Sequence, residues 1–117
     1  MAKKVILCID DDPETIKLVR LILARRNYEV KSATGGQEGL LMAERLQPDL
    51  ILLDVMMPDV DGWQVLEKLR ATEATRKLRV VLFSALHMMT PQKIEGYIAK
   101  PFSPQQLVEQ VQRALDD

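Results

Sequence analysis

Short apolar runs alternating with longer amphipathic segments are what most restrict the folds open to this chain. The runs occupy residues 5–9 (Val-Ile-Leu-Cys-Ile), 28–32 (Tyr-Glu-Val-Lys-Ser), 50–53 (Leu-Ile-Leu-Leu), 80–83 (Val-Val-Leu-Phe) and 97–99 (Tyr-Ile-Ala). The first, third and fourth are apolar throughout, as central strands covered by helices on both faces are. The second alternates, which suits a strand nearer an edge. Strict alternation of strand and helix predicts parallel strands with right-handed crossovers, hence an α/β doubly wound five-stranded parallel sheet with helices on both faces.

Helix starts can be read between the strands. Asp12 is placed to cap a helix with Pro13 in its first position, and Ile16, Val19 and Leu23 then share one face. Thr34 and Gln37 read as a capping box for a helix carrying Leu40, Leu41 and Ala43. Asp61 and Gln64 have similar spacing ahead of Val65, Leu66 and Leu69. Ser103, Pro104 and Gln106 open the last helix, with Leu107, Val108, Val111 and Leu115 on its inner face. One unit is short: between the fourth and fifth strands only the eleven residues 85–95 are available. A crossover with its helix usually needs at least ~10–12 residues, so a loop or a single turn is expected there. Leu86, Met88 and Met89 are expected to cover the gap in the core that this leaves.

The 117 residues are expected to form one domain, residues 1–117. Sixteen basic side chains balance 17 acidic ones, so no global field draws the chain toward nucleic acid or lipid. The single cysteine, Cys8, excludes an internal disulfide and reads as a small buried apolar group. No apolar stretch approaches membrane-spanning length, and a cytoplasmic location is expected. Arg25-Arg26 and Arg76-Lys77 read as solvated helix ends, and His87 as a loop residue. Trp63 fits either packing at the start of the third helix or a docking role.

In an open parallel sheet, ligands gather at the carboxyl ends of the strands. Those ends carry Asp10 and Asp11 after the first strand, Asp54 after the third, Ser84 after the fourth and Lys100 after the fifth. Each residue alone has an ordinary structural use as a cap, a turn or a surface charge. Chance placement of all five on one rim is harder to accept. Two carboxylates ~4 Å apart repel by ~4 kcal/mol at an effective dielectric of about 20, so three of them call for a cation or a proton. With hard oxygens as donors and no His or Cys beside them, the cluster suits Mg2+ (or Mn2+). Such a site is prepared for a phosphoryl group: Asp54 as nucleophile forming an acyl phosphate, Lys100 and the metal neutralising the moving oxygens, and Ser84 donating a hydrogen bond to one of them.

The segments Ile6-Leu7-Cys8-Ile9-Asp10-Asp11-Asp12-Pro13, Asp54-Val55-Met56-Met57-Pro58-Asp59-Val60-Asp61-Gly62, Phe83-Ser84-Ala85 and Tyr97-Ile98-Ala99-Lys100-Pro101-Phe102 resemble the receiver domain of bacterial two-component response regulators, including its chemotaxis members. The resemblance covers essentially the whole chain. It implies a flavodoxin-like sheet of order 2-1-3-4-5, an order the alternation alone does not supply. Carried over by position, it implies Asp54 as phosphoacceptor and a metal held by Asp10, Asp11, Asp54 and the main-chain carbonyl of Met56. Lys100 would contact the phosphate, Ser84 and Tyr97 would be the switch pair, and Lys100-Pro101 would be a cis peptide. The implied phosphodonor is a sensor histidine kinase or a phosphotransfer protein, and an unspecified downstream protein is the implied target. Beyond its own phosphorylation and slow dephosphorylation, no enzymatic activity is implied.

The chain departs from the pattern in the shortened unit after Ser84, where the family carries a fourth crossover helix on its output face. Because the chain ends at Asp117, a stand-alone receiver acting by docking or phosphorelay is expected. Met56 and Leu86, each two residues beyond a site residue, cannot orient an attacking water, so a long-lived aspartyl phosphate is expected. A magnesium phosphohydrolase would need a second acid where Met56 stands. The remaining alternative is a phosphorylation-independent docking module with an altered output face.

Overall fold

Continuous apolar runs do become the central strands, because every residue in them has a helical layer to meet on one face or the other. The computed structural model describes residues 3–55, 62–84 and 93–116. Strands β1 (Lys4–Ile9), β2 (Tyr28–Ala33), β3 (Leu50–Asp54), β4 (Val80–Ser84) and β5 (Gly96–Ala99) form one parallel sheet of order β2-β1-β3-β4-β5. Helices α1 (Pro13–Ala24), α2 (Gly36–Leu46), α3 (Gly62–Ala71) and α4 (Pro104–Asp116) accompany them. These four are the helices among the described residues, and none lies between β4 and β5. Most of the short segment there, residues 85–92 with Leu86, His87, Met88 and Met89, lies outside the described residues, as does the cap residue Asp61.

The alternating directions of strand side chains divide the core in two. Ile6, Cys8, Leu50, Leu52, Val81 and Phe83 face α1 and α4, whose Ile16, Val19, Leu23, Leu107, Val108 and Val111 complete that half. Leu7, Ile9, Ile51, Leu53, Val80 and Leu82 meet Ala43 of α2 and Val65, Leu66 and Leu69 of α3. Trp63 is partly buried against this second half. Cys8 is fully buried, and burial, reinforced by the charge of Asp10, pushes its thiol up to about 12.

Two of the readable helix starts form as expected. Asp12 caps α1, its Oδ1 accepting from the Glu14 N–H and its Oδ2 from the Thr15 hydroxyl. At α4 the Gln106 N–H donates to Ser103 Oγ and the Ser103 N–H to Gln106 Oε1, a reciprocal box. The start of α2 corrects the expectation. Its N-cap is Gly35, with no side-chain cap bond, and Thr34 belongs to the preceding turn. Its inner face is Gly36, Gly39 and Ala43, while Leu41 is 52% exposed. A Cβ at Gly39 would stand 2.6–2.9 Å from Ile9 side-chain carbons. The helix therefore approaches β1 through Gly39, which leaves Leu41 facing outward while Leu40 packs partly buried against the core. In α4, similarly, Ala114 is buried and Leu115 only partly so.

The end of the sheet opposite the strand carboxyl termini is tied by side chains. Arg70, at the end of α3, donates to the carbonyls of Lys93, Arg76 and Leu78, and pairs with Glu95 at 3.5 Å. Glu95 accepts from the Val80 N–H. The chain entering β5 is thereby held to α3 and β4. Arg25, Arg26, Arg76 and Lys77 are solvent-exposed; the first pair follows the end of α1, while Arg76 and Lys77 lie in the turn beyond α3, not at a helix end. Among the described residues no helix is long and apolar enough to cross a membrane.

Candidate functional site

Register places the acidic residues together. β1 and β3 are neighbours with Ile9 opposite Leu53, so Asp10, just beyond β1, lies level with Asp54, the last residue of β3. Oxygens of Asp10, Asp11 and Asp54 all lie within 4.8 Å of one another. Asp10 is fully buried and Asp54 nearly so, whereas Asp11 is more open. Lys100, immediately after β5, reaches across: its Nζ donates to Asp10 Oδ2 at 2.7 Å and to Asp54 Oδ2 at 3.2 Å. Four of the five side chains singled out at the strand ends are thus brought together.

Ser84 is the last residue of β4, paired with Ala99 and adjacent to Phe83, which pairs with Asp54. Its backbone is therefore on the same rim, while its side chain lies outside the described residues. Tyr97, in β5, is partly buried against the core half that faces α2 and α3. Met56, expected to offer its carbonyl, lies outside the described residues. The Lys100-Pro101 bond is cis, as the resemblance implied.

Several supporting groups were not singled out from sequence as parts of the site. The Asp12 N–H donates to Asp10 Oδ1 at 2.9 Å, so the residue that caps α1 also orients the buried carboxylate. The Lys100 ammonium stands 4.9 Å from the Phe83 ring centroid, and Phe83 in turn packs against Phe102. The Phe83 ring borders the ammonium, with Phe102 packed beside it. At Gly62 any Cβ would overlap Val55 Cα and the Asp54 carbonyl oxygen, so α3 starts against the acidic strand end. Gly62 and Phe102 sit inside quoted motifs, but their contacts depend on the tertiary fold.

Burial raises the Asp10 pKa, offset in part by hydrogen bonds from Lys100 and the Asp12 N–H. Burial works against the Lys100 charge, but the Asp10 hydrogen bond and the charges of Asp10 and Asp54 prevail and hold its pKa above the ordinary value. One ammonium among three carboxylates leaves net negative charge, which a divalent ion would neutralise. An octahedral magnesium ion holds oxygens at ~2.1 Å, hence ~3.0–4.2 Å from one another. Oxygens within 4.8 Å of one another need only small side-chain rotations to reach that range. The donor set fits a hard cation.

This fold and this acidic rim define a class, and comparison with known proteins supplies the family. The chain belongs to the response regulator receiver domain family, whose pattern matches residues 6–112; it is a signal-transduction domain of two-component systems. The DNA-binding dual master transcriptional regulator RpaA of Synechocystis sp. is 39% identical over 117 residues, covering 94% of this chain and 48% of that protein. The chain spans about half the length, or less, of the curated relatives it matches. The receiver domain of sensor histidine kinase PA1611 of Pseudomonas aeruginosa, solved with a magnesium ion coordinated in its active site cleft, superposes with a TM-score of 0.90 at 26% identity, covering 99% of this chain and all of that one. Chemotaxis protein CheY4 of Vibrio cholerae gives 0.87 at 26% identity, covering 97% of this chain and 100% of that one.

Proposed function

We propose that the domain is a phosphorylation-dependent signalling switch whose phosphoacceptor is Asp54. The observation that carries this reading is the Lys100 ammonium bridging Asp10 and Asp54, with Asp11 completing a cluster of three carboxylates on the strand-end rim. Asp54 is the last residue of central strand β3 and is nearly buried, whereas Asp10, just beyond β1, is fully buried and already held by the Asp12 N–H and Lys100. The ionised Asp54 oxygen needs no base to attack phosphorus. In that step the new O–P bond forms as the donor's P–N bond breaks, and the donor imidazole keeps the electron pair and takes up a proton. Lys100 neutralises one of the phosphoryl oxygens, and the Ser84 hydroxyl donates to another.

Asp10, Asp11 and Asp54, with the Met56 carbonyl, would hold Mg2+ or Mn2+. Bound there, the ion supplies charge neutralisation for the incoming phosphoryl group. The related magnesium-containing receiver of PA1611 supports that choice of cation. A sensor histidine kinase or a phosphotransfer protein is the proposed donor. Ser84 and Tyr97 report the modification to a protein target. The protein's own catalysis is confined to its phosphorylation and slow dephosphorylation. Incubation with acetyl phosphate and magnesium, read by intact mass, tests the reading. Wild type should gain one phosphoryl group, and Asp54→Asn or magnesium removal should abolish the gain. An Asp54→Asn protein labelled as fully as wild type would overturn it.

A further inference from the structure

At the end of the sheet where β4 and β5 begin lies a pocket of about 610 Å³, lined by Arg70, Arg76, Lys77, Leu78, Lys93 and Glu95. The length of β4, roughly 15 Å, separates it from the acidic rim. Its volume lies within the ~300–1,000 Å³ of small-molecule sites. The charges in it fall into two groups. Arg70 and Glu95 are spent on the fold: their side chains are 10% and 12% exposed, they pair with each other, and each also bonds main-chain groups. Arg76, Lys77 and Lys93 are exposed, and among the described residues none of the three joins an ion pair. With Arg70 and Glu95 cancelling, the pocket keeps three positive charges, in a chain whose net charge is −1. A lone exposed lysine needs no explanation. Three cations brought from two segments to one cavity, with no acid left to answer them, do. Their backbones are also fixed in advance. The main-chain carbonyls of Arg76 and Lys93 both accept from the Arg70 guanidinium, so a ligand orders side chains there without ordering the segments that carry them.

We propose that this pocket binds a ligand bearing a diphosphate group. A phosphate monoester carries at most about two negative charges, too few to answer three cations, and a second phosphate supplies the rest. Arg76 offers a planar fork to phosphate oxygens, and the two lysines act as point charges on flexible stems. The cavity is larger than a diphosphate, and partly buried Leu78 gives it an apolar wall. A nucleoside attached to the diphosphate therefore has room. Free pyrophosphate and a nucleoside diphosphate are the two sources of the group. The cations converge on a concavity and do not run along a stripe, which favours a compact polyanion over duplex nucleic acid. Because they are exposed and screened by salt, binding is modest, with a Kd on the order of 100 μM at low ionic strength.

Equilibrium dialysis of the full chain in magnesium-free buffer, where the acidic rim repels anions, tests this with ADP, pyrophosphate, AMP, adenosine and a triglutamate peptide as probes. ADP should bind, AMP about tenfold more weakly, and adenosine and triglutamate not measurably. Pyrophosphate bound as tightly as ADP would make the free diphosphate sufficient; pyrophosphate bound several-fold more weakly would give the nucleoside a share. Raising salt from about 50 to about 500 mM should weaken ADP binding about tenfold. Lys77→Ala and Lys93→Ala should each weaken it about fivefold, and the triple variant with Arg76→Ala should abolish it. All three positions are solvent-exposed, and circular dichroism melts would verify that each variant is folded. Absence of binding by both ADP and pyrophosphate overturns the proposal. So does adenosine or triglutamate bound as tightly as ADP, or ADP binding that the triple variant leaves intact.

Discussion

At 2.7 Å from Asp10 and 3.2 Å from Asp54, the Lys100 ammonium is the group that makes a buried carboxylate tolerable. Lys100→Met would leave Asp10 fully buried without its charge partner, a loss of about 2 kcal/mol of stability near neutral pH in metal-free buffer. Urea titration measures this, and added magnesium should stabilise the variant by more than it stabilises wild type. Proton linkage gives a second prediction. The folded protein holds the Asp10 proton to higher pH than the unfolded chain does, because burial raises that pKa. The stability contributed by Asp10 is therefore full below the ordinary aspartate pKa and is lost as pH rises through the raised value. Asp10→Asn should flatten this part of the metal-free stability profile. For Lys100, also raised, the contribution is full below the ordinary lysine pKa and is lost only as the solution becomes strongly alkaline. Both profiles follow from thermal melts at a series of pH values.

Among the elements, α2 shows where local pattern yields to packing. Asp12 and Ser103 could be read as caps because their partners lie two or three residues away. Thr34 and Gln37 had the same spacing, yet the close approach of Gly39 to Ile9 fixes the start of the helix at Gly36. Gly39→Ala would force its Cβ to within 2.6–2.9 Å of Ile9 and should cost about 1–3 kcal/mol. Combination with Ile9→Val should recover part of this in urea titrations. Gly35, by contrast, has an extended φ of −144°, and a Cβ there would meet nothing within 4 Å. Gly35→Ser should stabilise the protein by about 0.5–1 kcal/mol, supplying the missing cap and stiffening the unfolded chain. The Arg70 tie was beyond local reading altogether. Its acceptors include Lys93, 23 residues away, and only the completed sheet brings the two together.

For the whole molecule, strand alternation gave the fold class, because covering both faces of a sheet leaves continuous apolar runs in the sequence. Strand order was not contained in that alternation and came from the motif resemblance. The site was legible for a related reason. A parallel sheet delivers every strand's carboxyl end to one rim, so Asp10, Asp54 and Lys100 could be grouped before their distances were known. What alternation could not supply was their support: the Asp12 N–H on Asp10, and the Phe83–Phe102 pair beside Lys100. The central claim is that this rim directs a phosphoryl group to a single carboxylate. Phosphorylation by a small donor with magnesium, followed by borohydride reduction and peptide sequencing, tests it most directly. The account predicts homoserine at position 54 and at no other aspartate. Reduction at Asp10 or Asp11 instead, or no reduced residue after full exposure to the donor, would contradict it.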